Sequence, residues 1–92
     1  MGVRGVYLIH LDERVFSGQH YCGYSGQLDQ RLQQHQAGWG SHYTRAAHRR
    51  GIAMHVVRIW PEAGKDVEWR IKHTLGGPVA FCPRCRAAPL GP

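Results

Sequence analysis

Residues 3–11, with Val6, Tyr7, Leu8 and Ile9 at their heart, form an almost uninterrupted apolar run. A β-strand covered on both faces has this character. A chain of 92 residues has room for one layered core, so this segment is expected to be the central strand, with the rest of the chain arranged to cover it. Asp12, Glu13 and Arg14 follow as a polar turn. Residues 15–24 then mix β-branched and aromatic side chains with Gly18 and Gly23, which suits a second strand returning antiparallel.

Beyond this hairpin the periodicity changes to that of helices. Ser25 is placed to cap a first helix that carries Leu28, Asp29, Arg31, Leu32 and His35 before Gly38 ends it. After a loop at residues 39–41, Tyr43, Ala46, Ala47 and Arg50 recur at helical spacing and Gly51 closes a second helix. Residues 52–60 read as a third strand that Pro61 terminates. Ala63, Val67, Ile71 and Leu75 step by four along a third helix, stopped by Gly76-Gly77-Pro78. The order ββααβα gives an α+β class, with one domain over residues 1–81 and an irregular tail over 82–92.

Charge narrows the partners. Lys and Arg outnumber Asp and Glu by twelve to six, for a net charge of +6, and ten of the twelve are arginine. The planar guanidinium fork grips phosphate in two places, so nucleic acid is the expected partner, the alternative being that the excess simply keeps a small domain soluble. The acids are Asp12, Glu13, Asp29, Glu62, Asp66 and Glu68. So few carboxylates argue against a two-metal site and leave one hard cation on one carboxylate. No apolar run approaches the ~20 residues that span a bilayer, and no secretory leader is visible, so a cytoplasmic protein without membrane contact is expected. Three cysteines, an odd count, are then expected as reduced thiols.

Arg31 and His35 lie one turn apart at the margin of the Leu28/Leu32 stripe, and Glu68 lies at the margin of the stripe on the third helix. Amphipathic helices ordinarily carry charges there. The tripeptides Gly5-Val6-Tyr7 and Tyr21-Cys22-Gly23 alter that reading, because they bracket the hairpin and precede Arg31, His35 and Glu68 in order. Over residues 5–81 the chain resembles a GIY-YIG nuclease domain. The resemblance implies a small three-stranded antiparallel sheet flanked by helices, and hydrolysis of DNA phosphodiesters with one divalent metal, Mg²⁺ or Mn²⁺, and no small-molecule cofactor.

The resemblance also implies roles. Tyr7 would be the base that takes a proton from water, which requires nearby cations to lower the phenol's usual pKa of about 10. Arg31 would neutralise charge growing on the phosphate oxygens, and Glu68 would hold the cation. His35 would orient the nucleophile or share its proton, and Tyr21 would hydrogen-bond phosphate or water. Two features depart from the family pattern. Cys22 stands for an isoleucine, a swap between small hydrophobes. The asparagine that many members carry after the metal-binding helix is missing, the chain having no asparagine at all; His73 and Thr74 are near but take no assigned role.

Trp39, Tyr43, Arg45 and Arg49, with His48 and Arg50, make a basic and aromatic neighbourhood suited to gripping a backbone and stacking an unpaired base. Its alternative is a solvated helix face. Cys82-Pro83-Arg84-Cys85 has metal-knuckle spacing, but a structural zinc site would need a second spaced pair, so these thiols are read as a terminal turn. The expected function is a metal-dependent DNA endonuclease of low sequence selectivity, or one selective for single-stranded or branched DNA. The alternatives are a catalytically silent nucleic-acid-binding module with the same fold and a zinc-stabilised adaptor using Cys82 and Cys85.

Overall fold

A computed structural model describes residues 3–16 and 18–87. Its strands are β1 (Gly5–Val15), β2 (Gly18–Ser25) and β3 (Met54–Pro61), joined antiparallel in the order β2-β1-β3. The apolar run is therefore the central strand, as expected, and its alternating side chains feed two cores. Tyr7, Ile9, Leu11 and Val15 point into one layer with Leu28 of α1 (Leu28–Gln36) and Ala47 of α2 (His42–Arg49). Val6 and Leu8 point into the other, with Cys22, Ile71 of α3 (Lys65–His73) and Cys82. The three-stranded antiparallel α+β fold stands as anticipated.

Four boundaries are corrected. Asp12 to Arg14 are not the turn, because β1 continues to Val15, which is buried in the core. Asp12 is held there by β3 and the residue before it: its amide donates to the Ala53 carbonyl at 3.1 Å and its carboxylate receives His55 Nε2 at 2.9 Å. Phe16 turns the chain instead, with φ of 57°, a conformation costly for a bulky side chain. Ser25 does not cap α1. It is the last residue of β2, paired with Gly5, and its hydroxyl accepts the Gln27 amide at 3.0 Å while Gln27 takes the cap position.

The third helix ends at His73, before the stripe reaches Leu75. Thr74 is extended and Gly76 has φ of 91°, so Leu75 is thrown into solvent at 97% exposure. The division at residue 81 also falls inside the fold. A 3₁₀ turn (Gly77–Phe81) leads to Cys82, fully buried, and then to α4 (Pro83–Ala87), so this stretch is neither irregular nor outside the core. The rest of the expected tail, residues 88–92, lies outside the described residues.

Candidate active site

Tyr7 stands on the central strand and is fully buried, facing the α1/α2 layer. Its register partner on β2 is Gly23. A Cβ at Gly23 would lie 2.5 Å from the Tyr7 hydroxyl and 2.7 Å from Cζ, so the phenol passes directly over a backbone that only glycine leaves open. The hydroxyl meets His35 Nε2 at 2.6 Å, and His35 Nδ1 meets Thr44 Oγ1 at 2.7 Å. One buried chain of polar groups thus runs from β1 through α1 to α2.

Local sequence fixes each member of that chain. Thr44 is the third residue of α2 and half of a capping box: it accepts the Ser41 amide at 3.0 Å while its own amide donates to the Ser41 hydroxyl at 3.1 Å. Gly40 lies against the His35 ring so closely that a Cβ there would occupy the imidazole's own space. Neither Thr44 nor Gly40 was singled out from the sequence. The Ser41-x-x-Thr44 spacing is the signal that could have placed Thr44 in the first turn of α2.

Tyr21 packs beside the chain, with ring centroids 6.2 Å from Tyr7 and 5.2 Å from His35. Arg31, half-buried one turn before His35, acts on both groups. Burial pushes the Tyr7 hydroxyl well above the ordinary tyrosine value, Tyr21 reinforces the rise, and Arg31 pulls against it. Burial first and the Arg31 charge second lower His35 to about 4, so the imidazole is neutral at pH 7. Arg31 also lines a polar surface depression with Ser25, Gly26, Gln27, Gln30 and Gln34. Arg31 and Tyr21 are the partly exposed members of the group, whereas Tyr7 and His35 are buried.

The remaining expected residues fall elsewhere. Glu68 is on α3, whose apolar side packs the opposite layer, and its carboxylate meets Lys72 Nζ at 3.4 Å. Among the described residues no hydrogen bond or ion pair joins Glu68 to Tyr7, Tyr21, Arg31 or His35. As a donor for a hard cation it is suitable: one half-buried carboxylate, held by a single long ion pair, leaves oxygen lone pairs for an ion that keeps most of its own water. Trp39, 73% exposed, lines a depression with Arg45, His48 and Arg49. Tyr43 does not join them. Its ring stacks on Tyr21 with centroids 6.1 Å apart against the core, and its hydroxyl is buried without a partner.

Cys82 and Cys85 require a correction. They are not a turn with idle thiols: with His10 and His20 they form a group whose ligating atoms all lie within 4.8 Å of one another. The second pair comes from the β hairpin, where His10 and His20 are register partners, and not from a spaced motif.

The sheet with its helices on both faces defines a small α+β domain, with the tyrosine pair, Arg31 and His35 gathered on one of those faces. The chain belongs to the GIY-YIG family: the model of the GIY-YIG catalytic domain matches residues 4–77. No curated protein and no solved structure matches it. Members of this family are endonucleases that act on DNA and generally use divalent metals, and the fold of this chain is of that nuclease type.

Proposed function

We propose that the protein is a divalent-metal-dependent DNA endonuclease in which Tyr7 activates water, Arg31 binds the scissile phosphate and Glu68 holds the metal. The observation that carries this reading is the 2.6 Å contact between Tyr7 and a neutral His35, with Arg31 alongside, in a chain of this family. Thr44 Oγ1 has one proton and carbonyl or hydroxyl acceptors at Ser41, which leaves Nδ1–H of His35 to donate to Thr44 and Nε2 free to accept from the phenol.

As water attacks phosphorus, its proton passes to the Tyr7 oxygen and the phenol proton passes to His35 Nε2. Burial opposes separating charge in this way, and the Arg31 cation acts in both directions, favouring negative charge on the Tyr7 oxygen and disfavouring the proton on His35. The same guanidinium, open to the Ser25–Gln34 depression, neutralises the non-bridging oxygens as the transition state forms. A Mg²⁺ or Mn²⁺ ion held by Glu68 would supply Lewis-acid neutralisation of the phosphate. Arg45, Arg49 and Trp39 extend the contact along the nucleic-acid backbone, while Tyr21 and Tyr43 support the site by packing. Arginines on phosphates and a tryptophan stacked on any base are indifferent to sequence, which favours single-stranded or branched DNA, or low selectivity.

Cleavage of labelled single-stranded, duplex and branched DNA in Mg²⁺ or Mn²⁺ tests the assignment. Tyr7→Phe and Glu68→Ala each lower the rate by about 10²–10⁴-fold while Tyr7→Phe keeps the packing of the ring. Salt-sensitive binding with no cutting by the wild type would instead assign the silent nucleic-acid-binding module, a reading favoured by the Glu68–Lys72 pair and the missing asparagine.

A further inference from the structure

On the sheet face opposite Tyr7, four side chains from distant parts of the chain converge. His10 and His20 face each other across the hairpin, their rings edge to face with centroids 5.0 Å apart. Cys82 follows the 3₁₀ turn and Cys85 lies within α4. His10 Nδ1 lies 3.2 Å from His20 Nε2, 3.5 Å from Cys82 Sγ and 3.6 Å from Cys85 Sγ, and Cys85 Sγ lies 3.3 Å from His20 Nε2.

Hydrogen bonding does not account for this geometry. An imidazole nitrogen has one proton or one lone pair, aimed along one line in the ring plane, yet three groups crowd His10 Nδ1 at nearly equal distance. A tetrahedral zinc ion does account for it. Zn–S bonds of about 2.3 Å and Zn–N bonds of about 2.0 Å separate sulfur from nitrogen by about 3.5 Å, and nitrogen from nitrogen by about 3.3 Å. These four separations match those of a coordination shell, and all four ligating atoms lie within 4.8 Å of one another. We propose that His10, His20, Cys82 and Cys85 bind a structural Zn²⁺.

The chemistry of the set fits that ion. Two thiolates and two imidazoles are the ligands zinc prefers over Mg²⁺ or Ca²⁺, and four protein donors leave no open position for substrate. Zn²⁺ displaces one proton from each thiol, so the loaded site carries no net charge and can sit beside the apolar cluster of Val6, Leu8, Cys22 and Ile71. The ion would cross-link the β hairpin to a segment that lies beyond the matched residues 4–77. With all four positions filled by protein donors, the ion is a clamp and not part of the hydrolytic group.

Metal analysis of the full chain, purified with its thiols reduced and dialysed, tests the site independently of any cleavage assay. Equimolar zinc is expected, and replacement by Co²⁺ is expected to give the intense visible bands of a tetrahedral ion with sulfur-to-cobalt charge transfer. Cys85→Ser and His20→Ala lose the metal, whereas His73→Ala, on an exposed part of α3, retains it. A strong chelator lowers the Tm of the wild type by at least about 5 °C. Metal-free protein after dialysis, a Cys82–Cys85 disulfide that persists in reductant, or octahedral cobalt without charge transfer would each overturn the proposal. Should the variants fail to fold, the cobalt spectrum of the wild type decides alone.

Discussion

The hydroxyl of Tyr7 lies where the Cβ of any other residue at Gly23 would crowd it, 2.5 Å away, so the first tripeptide's tyrosine and the second tripeptide's glycine form one packing unit. The two motifs are coupled through space as well as by strand register. Each makes the other's geometry possible.

Gly23→Ala is therefore expected to cost about 1–3 kcal/mol, the range for overfilling a packed interior, since the fully buried ring of Tyr7 has little freedom to withdraw. Gly26→Ala is the matched control. A Cβ there meets nothing within 4 Å, and its stability should stay within about 0.5 kcal/mol of wild type. Urea denaturation of the two variants checks the contrast; equal losses would show that Tyr7 does not depend on Gly23.

Acid should weaken the protein through His35, which is 1% exposed. It faces Tyr7 of β1, Tyr21 of β2, Thr44 of α2 and Arg31 of its own helix. Its pKa falls from 6.5 to about 4 on folding, so between these values the unfolded chain binds the proton that the folded one refuses. Stability then drops as pH falls from 6.5 towards 4, by about 3 kcal/mol at the limit, and is insensitive to this group above 6.5. Other histidines titrate too, so the measured quantity is the difference in pH slope between wild type and His35→Gln. Identical slopes would remove His35 as the cause.

Ile71 and Leu75 share a stripe in the sequence but not in the fold. Ile71→Ala should cost about 2–5 kcal/mol, because the side chain is buried among Val6, Leu8 and Cys22. Leu75→Ser should change stability by less than about 0.5 kcal/mol, since the residue is almost wholly exposed. Thermal melts of the pair are sufficient to decide.

Replacing Arg45 and Arg49 by alanine should weaken DNA binding and lower the slope of log affinity against log salt by about 1 for each phosphate that is no longer neutralised. Trp39→Ala should weaken single-stranded binding more than duplex binding, because stacking needs an unpaired base. Tyr43→Phe, by contrast, should leave affinity unchanged: its hydroxyl is buried without a partner against the core. Binding isotherms at several salt concentrations separate these effects.

The central strand, the element order and the antiparallel sheet were legible because two-sided burial and helical spacing write themselves into local sequence. Tyr7, Tyr21, Arg31 and His35 were legible as a set only through their order behind the two tripeptides, which resembles the family pattern; their positions on strand and helix alone did not single them out. Ser25 misled because its hydroxyl satisfies the Gln27 amide from the end of a strand, two residues short of the helix. Leu75 misled because the backbone leaves the helix before the periodicity does. Of His10, His20, Cys82 and Cys85, only the cysteines carry a local spacing: strand register sets the two histidines opposite each other, and the 3₁₀ turn and α4 bring the cysteines to them. Tyr43 looked like a nucleic-acid contact by composition, and its orientation toward Tyr21 depends on how α2 seats on the sheet.

Cys82 reaches back to His10 across 72 positions of sequence, and β1, which it helps to cover, is the first of the three strands to leave the ribosome. Until α3 and residues 77–85 have both been made, one side of that strand remains incompletely covered, leaving Val6 and Leu8 open to any chaperone, protease or neighbouring nascent chain. The domain's assembly is in this sense gated by its last turn. A strand made early and finished by a segment made late leaves a chain cut before Cys85 with part of its apolar core uncovered, an adhesive surface instead of a smaller version of the whole.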